Sequence, residues 1–247
     1  MFPIRDHNPS EATPYVTYTL IAMNVAVYLY GLAFLSTNTH INVFYDTFGM
    51  IPARVSLGEG YATFISSTFL HAGFMHLAGN MLFLWIFGDN MEEEMGHFPF
   101  LGFYLLSGIG AGLAQYLSDP QSQIVTVGAS GAIAGVMGGY LLMFPKAKVD
   151  ILLILIIIFR IIPVPAWIML GLWFAIQLVQ SLMSDPTLGG VAYWAHAGGF
   201  IIGLVLTIPV WLRRGGIRFW EATAGHPPHP EAKYKWVNSS VPVVRRR

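Results

Sequence analysis

The sequence contains no cysteine, which excludes disulfide bonds, thiol nucleophiles and thiolate metal sites. It is also poor in charge: only 11% of its 247 residues are Asp, Glu, Lys or Arg, against about a quarter in ordinary soluble domains. Hydrophobic residues make up 55% of the chain, and its net charge of zero is unlike that of a basic nucleic-acid-binding protein or a polyanionic chain. So few charges cannot cover the surface of a soluble protein of this size. We therefore predict that most of the chain lies in a membrane.

Stretches without charge locate the predicted spans, because a charge at the bilayer centre costs at least ~2.5–3.5 kcal/mol. Six such stretches exist, and each can hold one helix of the roughly 20 residues that cross a bilayer. We predict an all-α, polytopic membrane protein whose six transmembrane helices lie near residues 15–35, 66–88, 98–118, 126–143, 164–183 and 191–212. The apolar run 151–159 is too short to span and is followed by two prolines. We predict an interfacial or loop segment there.

The distribution of Lys and Arg predicts the orientation of these helices. With the N-terminus inside, the inner segments carry twelve of the 13 basic residues and the outer segments carry only Arg54. We therefore predict a cytoplasmic N-terminus over residues 1–14, a six-helix membrane domain over 15–212 and a cytoplasmic tail over 213–247. The tail is basic and contains proline, which predicts mobility.

A few polar residues lie inside the predicted spans, where such residues are functional candidates. His71, His76 and Asn80 are on the second helix, Ser130 is on the fourth and His196 is on the sixth. His76 and Asn80 are four residues apart and share a helix face, whereas His71 lies about half a turn off that face. We expect His71 to pack or cap near the outer interface. The other four are predicted to lie at similar depths, with Ser130 and His196 roughly 8–12 Å below their outer helix ends. None of the carboxylates falls inside a predicted span.

Two of these helices also carry glycines at intervals of four, namely Gly131, Gly135 and Gly139 on the fourth and Gly199 and Gly203 on the sixth. Such stripes of small residues let helix backbones approach closely in lipid. Ser130 and His196 lie beside the stripes, so the two side chains could reach hydrogen-bond distance, which a serine nucleophile requires of its general base. The Gly-Ala-Ser-Gly motif alone and Asn80 alone favour ordinary helix packing, and a lone histidine in a membrane helix is equally consistent with a satisfied polar contact and with function. Their coincidence at one depth favours a catalytic site.

These residues resemble the rhomboid family of intramembrane serine proteases, over roughly residues 15–212. The resemblance rests on three motifs: His71-x4-His76-x3-Asn80 on the second helix, Gly128-Ala129-Ser130-Gly131 on the fourth, and Ala195-His196-x2-Gly199-x3-Gly203 on the sixth. The order, spacing and helix number of the motifs all match the family.

The resemblance implies a serine endopeptidase that hydrolyses peptide bonds of transmembrane protein substrates within the lipid bilayer. It implies that Ser130 is the nucleophile and His196 its general base, acting as a dyad without a buried acid. His76, Asn80 and the backbone N–H of Ser130 would form the oxyanion hole. The glycines that would support helix packing are Gly128, Gly131, Gly135, Gly199 and Gly203. The resemblance implies no cofactor, no metal and no nucleic-acid partner, and it leaves the oligomeric state open. We expect an integral multi-pass protein of a prokaryotic inner membrane, with both termini cytoplasmic and the active site open to the outer face.

Two positions depart from the pattern of some relatives. A tyrosine that packs on the catalytic histidine is replaced by Ala134, so another residue, or none, supports His196. A Trp-Arg pair in the first outer loop is replaced by Pro52-Ala53-Arg54. The alternatives are a rhomboid-like protein that binds membrane clients without cutting them and, less favoured, a transporter that uses the histidines. The chain lacks the His-Glu-x-x-His motif of metalloproteases and the two membrane aspartates of aspartyl proteases.

Overall fold

The computed structural model describes residues 2–155, 158–183 and 189–232. Its helices are α1 (Tyr15–Phe34), α2 (Asn38–Phe48), α3 (Pro52–Ser56), α4 (Thr63–Ser66), α5 (Phe74–Met95), α6 (His97–Ser118), α7 (Ser130–Met143), α8 (Ala166–Met183), α9 (Tyr193–Arg213) and α10 (Ile217–Thr223). A 3₁₀ turn, Ser67–Phe69, follows α4. Three strands, β1 (Phe2–Asp6), β2 (Lys148–Leu155) and β3 (Ile158–Pro165), form one small sheet.

The predicted polytopic helical bundle is confirmed. Among the described residues, α1, α6, α8 and α9 are long and apolar enough to cross a bilayer, against the six spans predicted. Helix α5 passes the same test only together with the bent segment Thr63–Phe69 before it, which raises the number to five if the pair is one span. The remaining core helix, α7, has 14 residues. At ~1.5 Å per residue it is about 21 Å long, shorter than the hydrocarbon core of a bilayer. It is buried along most of its length, as expected of a helix that is apolar on every side.

Helices α7 and α9 approach each other at their glycines. A side chain at Gly199 would overlap the carbonyl oxygen of Gly131, and one at Gly203 would overlap that of Gly135. The glycines of α7 also make room for other helices, since a Cβ at Gly131 would lie 2.5 Å from the Cβ of Ala111 on α6. This backbone-to-backbone contact places the start of α7 beside the start of α9.

The second long helix differs from its prediction. It was predicted over residues 66–88, but α5 runs from Phe74 to Met95, and the chain before it bends by 98° at a short break. Four carboxylates, Asp89, Glu92, Glu93 and Glu94, therefore lie within α5. The predicted helix ended too early, because a charge-free window necessarily ends before the first acidic residue.

Two of these carboxylates, Glu92 and Glu94, are buried and are tolerated because they have partners. Glu92, 1% exposed, accepts hydrogen bonds from the backbone N–H groups of Val16 at 2.8 Å and Thr17 at 2.7 Å. Those groups belong to the first turn of α1, where backbone N–H groups lack partners within the helix and favour negative charge. Glu94 pairs with Arg214 at 2.6 Å, just beyond the end of α9.

The segment 151–159, predicted as an interfacial or loop segment, instead belongs largely to the sheet. Strand β2 pairs antiparallel with both β1 and β3, and Ile151 is paired with Pro3 on one side and Ile162 on the other. Pro163 and Pro165 fit because β3 is an edge strand, where a missing N–H costs no ladder bond. The apolar run of β-branched residues is typical of a strand, although two of its residues, 156 and 157, lie outside the described part.

The tail from residue 213 onward, predicted to be mobile, is packed against the bundle as far as residue 232. Trp220 of α10 donates its indole N–H to the carbonyl of Leu142 at 3.0 Å. Further along, the backbone N–H of Ala232 donates to the carbonyl of His7 at 2.6 Å. The described chain ends therefore meet at one end of the bundle. Residues 233–247 of the predicted tail lie outside the described residues.

Candidate active site

The side chains of Ser130 and His196 are in hydrogen-bond contact, with 2.7 Å between the serine Oγ and the histidine Nε2. Ser130 is the first residue of α7, and His196 is the fourth residue of α9. The predicted depth of 8–12 Å below the helix ends was therefore wrong, because α7 begins at residue 130 and not near 126. The correction matters chemically, since the first N–H groups of a helix have no partner within it and can donate to a ligand.

The second ring nitrogen of His196 contacts Gln177 of α8, with 2.7 Å between Nδ1 and the side-chain oxygen Oε1. Trp173, one turn earlier on α8, packs on the same imidazole with ring centroids 5.8 Å apart and planes inclined by 33°. Sequence analysis missed both residues. Gln177 is not among the polar residues listed above for the predicted spans, and no tryptophan is among the predicted site residues. The available signal was a glutamine in an apolar helix, but Gln180 gives the same signal and is exposed.

The structure brings the four central predicted residues to one cavity. Ser130, His196, His76 and Asn80 all line a space of about 430 Å³ between α5, α7, α8 and α9. His76 also lines a neighbouring, more polar space of about 340 Å³. The polar walls of this second space include side chains from α6 and from the loop before α7, namely Gln115, Ser118, Ser122 and Thr126.

His71 packs inside the bundle against a residue of the predicted site. It is 2% exposed, and its Nε2 lies 2.8 Å from Nδ2 of Asn80. The helix break after Phe69 produces this arrangement, because it turns His71 back over the first turns of α5. The hydroxyl of Tyr45, from α2, donates to the backbone carbonyl of His71 at 2.8 Å. His71 therefore holds the side chain of Asn80.

Gly128, predicted to support helix packing, is not in a helix. It lies two residues before α7 with φ +127°, a conformation that favours glycine. A Cβ at this position would be 2.8 Å from Cε1 and Nε2 of His76. Gly128 therefore makes room for the His76 ring beside Ser130.

Arg54 lies between α1 and α5, in the segment predicted to be the first outer loop, where some relatives carry a Trp-Arg pair. Its guanidinium donates to the backbone carbonyls of Asp46 and Gly49, the latter at 3.0 Å. A single antiparallel bridge joins the neighbouring Met50 to Thr126 of the loop before α7. The outer loop is thus attached to the segment that leads into Ser130.

Comparison with known proteins identifies the family. The Rhomboid domain matches residues 58–213. The chain is 32% identical to the rhomboid protease AarA of Providencia stuartii over 209 residues, which cover 78% of this chain and 71% of that protein. It is 31% identical over 201 residues to the mitochondrial Rhomboid protein 1 of Saccharomyces cerevisiae and 33% identical over 159 residues to the chloroplastic Rhomboid-like protein 11 of Arabidopsis thaliana. These matches cover 77% and 60% of this chain but only 51% of either relative's own length. The chain belongs to the rhomboid family, and it is an integral membrane protein.

No group of three or more His, Asp or Glu side chains with the geometry of a metal site occurs among the described residues.

Proposed function

We propose that this protein is an intramembrane serine protease that cleaves transmembrane protein substrates, with Ser130 as nucleophile and His196 as general base. The observation that carries the proposal is the 2.7 Å contact between Ser130 Oγ and His196 Nε2 at a cavity within the helical bundle. An unactivated serine is a weak nucleophile, and an adjacent imidazole activates it by accepting its proton. Rhomboid relatives that are named proteases support the same assignment.

The reaction would proceed in two acyl-transfer steps. Ser130 Oγ attacks the scissile carbonyl carbon while its proton passes to His196 Nε2, and the carbonyl oxygen becomes an oxyanion. The C–N bond then breaks, and the leaving nitrogen takes the proton from His196. Water attacks the resulting acyl-enzyme with His196 again accepting a proton, and the acid is released with Ser130 regenerated. The neighbouring polar space of about 340 Å³ supports a route for that water.

Three donors are suited to the oxyanion. The backbone N–H of Ser130 lies at the start of α7, and the side chains of His76 and Asn80 line the same cavity. The Asn80 amide carries two hydrogens, so its contact with His71 leaves one for a substrate oxygen. Preorganised donors of this kind are worth ~2.7–4 kcal/mol each in comparable sites.

The proposed orientation places both termini in the cytoplasm and the catalytic cavity toward the outer face. The basic residues of the inner segments support it. The contact between Ala232 and His7 also supports it, because it places the two ends of the described part of the chain on one side. The same proposal locates the protein in the inner membrane of a prokaryotic cell.

Serine-specific labelling tests the function. A fluorophosphonate probe should label the purified wild-type protein in detergent, and Ser130→Ala should remove both labelling and cleavage of a transmembrane substrate. Ser36→Ala is the matched control, because this serine is exposed between α1 and α2 and should leave labelling intact. The double variant Ser130→Ala with His196→Ala should be no worse than either single variant, since residues that act as one unit are not additive. Cleavage retained by a folded Ser130→Ala protein would refute the assignment of Ser130 as nucleophile. A wild-type protein that binds the substrate with neither labelling nor cleavage would favour the client-binding role.

A further inference from the structure

The immediate environment of His196 contains an acceptor that the predicted dyad lacks. Gln177 places its Oε1 2.7 Å from His196 Nδ1, on the opposite side of the ring from Ser130. Gln177 is buried, with 8% of its surface exposed, so water competes little for this contact. A neutral imidazole has one N–H and one bare nitrogen, and the hydrogen bond at one nitrogen decides which is which.

We propose that Gln177 is a positioning residue that selects the reactive tautomer of His196. Ser130, His196 and Gln177 then form a hydrogen-bonded triad in which no proton passes to Gln177. The proposal rests on the proposed protease function and deepens it. A carbonyl oxygen only accepts, so Oε1 requires the proton on Nδ1. Nε2 is then bare and can take the proton of the Ser130 hydroxyl. The opposite tautomer would present an N–H to the serine and could not act as its base.

The second contact on His196 comes from the same helix. Trp173 precedes Gln177 by four residues, so both project from one face of α8. Trp173 packs on the imidazole ring and Gln177 holds its edge, which fixes the ring plane as well as the tautomer. This pair fills the role that is vacant at Ala134, whose position on α7 carries no aromatic ring.

An amide suits this location better than a carboxylate. An ionised acid in the bundle would need partners of the kind that Glu92 and Glu94 have at the far end of α5, because an unpaired charge in the membrane is costly. Glutamine provides the acceptor without that charge. It stabilises the imidazolium formed during catalysis less than an anion would, so its main contribution is tautomer and orientation.

The test compares Gln177→Leu with Gln180→Leu, the same substitution three residues further on the exposed side of α8. Loss of the acceptor that selects the tautomer lowers kcat about 10⁴-fold in soluble serine protease triads, where that acceptor is an anion. With a neutral amide we expect a smaller loss for Gln177→Leu, about ten- to a thousand-fold in kcat, with KM nearly unchanged. Gln180→Leu should match the wild type.

The conservative variant Gln177→Glu separates positioning from packing. It keeps an acceptor at the same reach, so its kcat should exceed that of Gln177→Leu by at least about ten-fold. Its charge should also move the acidic limb of the pH–kcat profile to higher pH, because an anion stabilises the protonated imidazole. A residue with only a packing role would make Gln177→Glu as poor as Gln177→Leu, or poorer.

A measurement without turnover completes the test. In protein labelled with ¹⁵N-histidine, the His196 signals, assigned by their loss in His196→Ala, should show Nδ1–H and bare Nε2. Gln177→Leu should increase the Nε2–H form, and Gln180→Leu should not. The proposed role of Gln177 would be overturned by an unchanged tautomer ratio in Gln177→Leu. It would also be overturned if the kcat of Gln177→Leu equalled that of Gln180→Leu. Because those results leave the loss of activity in Ser130→Ala untouched, they are distinguishable from failure of the protease function itself.

Discussion

Gly199 of α9 lies directly against the backbone of Gly131, so close that any side chain at position 199 would overlap the Gly131 carbonyl oxygen. Gly131 follows Ser130, and Gly199 is three residues after His196. The contact between two glycines therefore sets the distance between the proposed nucleophile and its base. Close backbone approach at small residues is a common basis of helix association in membranes.

Replacing Gly199 by alanine should disturb both stability and catalysis. The added methyl group has to push α9 from α7, and overpacking of this kind costs about 1–3 kcal/mol. The Ser130–His196 contact should lengthen with the helix separation, so kcat should fall together with Tm. Gly102→Ala on α6 is the matched control, because a Cβ there has nothing within 4 Å. Thermal unfolding and kcat of the two purified variants check the prediction, and equal behaviour of the two would contradict it.

Asn80→Ala should lower kcat about ten- to a thousand-fold and leave KM nearly unchanged, because a donor to the oxyanion acts mainly in the transition state. An asparagine that only joins helices would behave differently, since such contacts are worth about 0.6 kcal/mol and affect stability alone. Measuring Tm and kcat on the same preparation separates the two. His71→Ala should give a weaker loss of kcat, because it removes only the partner that holds the Asn80 amide. A normal kcat in Asn80→Ala would remove this residue from the site.

Glu92→Ala should destabilise the bundle without touching the catalytic cavity. The carboxylate accepts hydrogen bonds from Val16 N–H, Thr17 N–H and the Thr17 hydroxyl, and hydrogen bonds to charged groups contribute about 1.5–3 kcal/mol each. Loss of all three should lower Tm by several degrees, while the remaining folded protein keeps its kcat. Glu11→Ala, at an exposed position near the start of the chain, is the control. A Glu92→Ala protein as stable as this control would show that Glu92 does not anchor α1.

Stability should depend on pH through Asp6 of β1. Burial, reinforced by the negative charge of Asp89, raises the pKa of Asp6 from 3.8 to about 8. The native state therefore retains a proton that the unfolded chain releases. The stabilising contribution is complete below about pH 4 and is lost as pH rises through about 8. Asp6 accepts a hydrogen bond from the Asn90 amide at 2.7 Å. This bond lowers the pKa of Asp6, but it offsets the effect of burial only in part.

The matching variant is Asp6→Asn, which cannot ionise. The difference in Tm between Asp6→Asn and the wild type should grow in favour of the variant as pH rises from 5 to 9. The difference in Tm between the two proteins cancels the pH dependence that comes from titratable groups present in both. One such group is His226, whose pKa is lowered by burial. A difference that stays constant over this range would contradict the raised pKa of Asp6.

The sequence by itself determined the membrane class and the helix on which each of Ser130, His196, His76 and Asn80 lies. It predicted six spans, whereas the described residues contain four, or five with the bent pair. Scarcity of charge and the cost of charge in lipid are local, additive properties, so they can be read without coordinates. Motif spacing in turn associates a serine, two histidines and an asparagine with a known family. The relative depth of Ser130 was wrong because it depended on the exact residue at which α7 begins.

Only the tertiary structure decided which polar residues meet. Gln177 and Gln180 are equivalent in sequence, yet only Gln177 reaches His196, because the rotation of α8 about its axis is set by packing against α9. The carboxylates of α5 were excluded from the predicted spans for a related reason. Their cost is cancelled by partners more than 70 residues away along the chain, as between Glu92 and Thr17. A prediction that considers one segment at a time cannot identify partners that are so distant in the sequence.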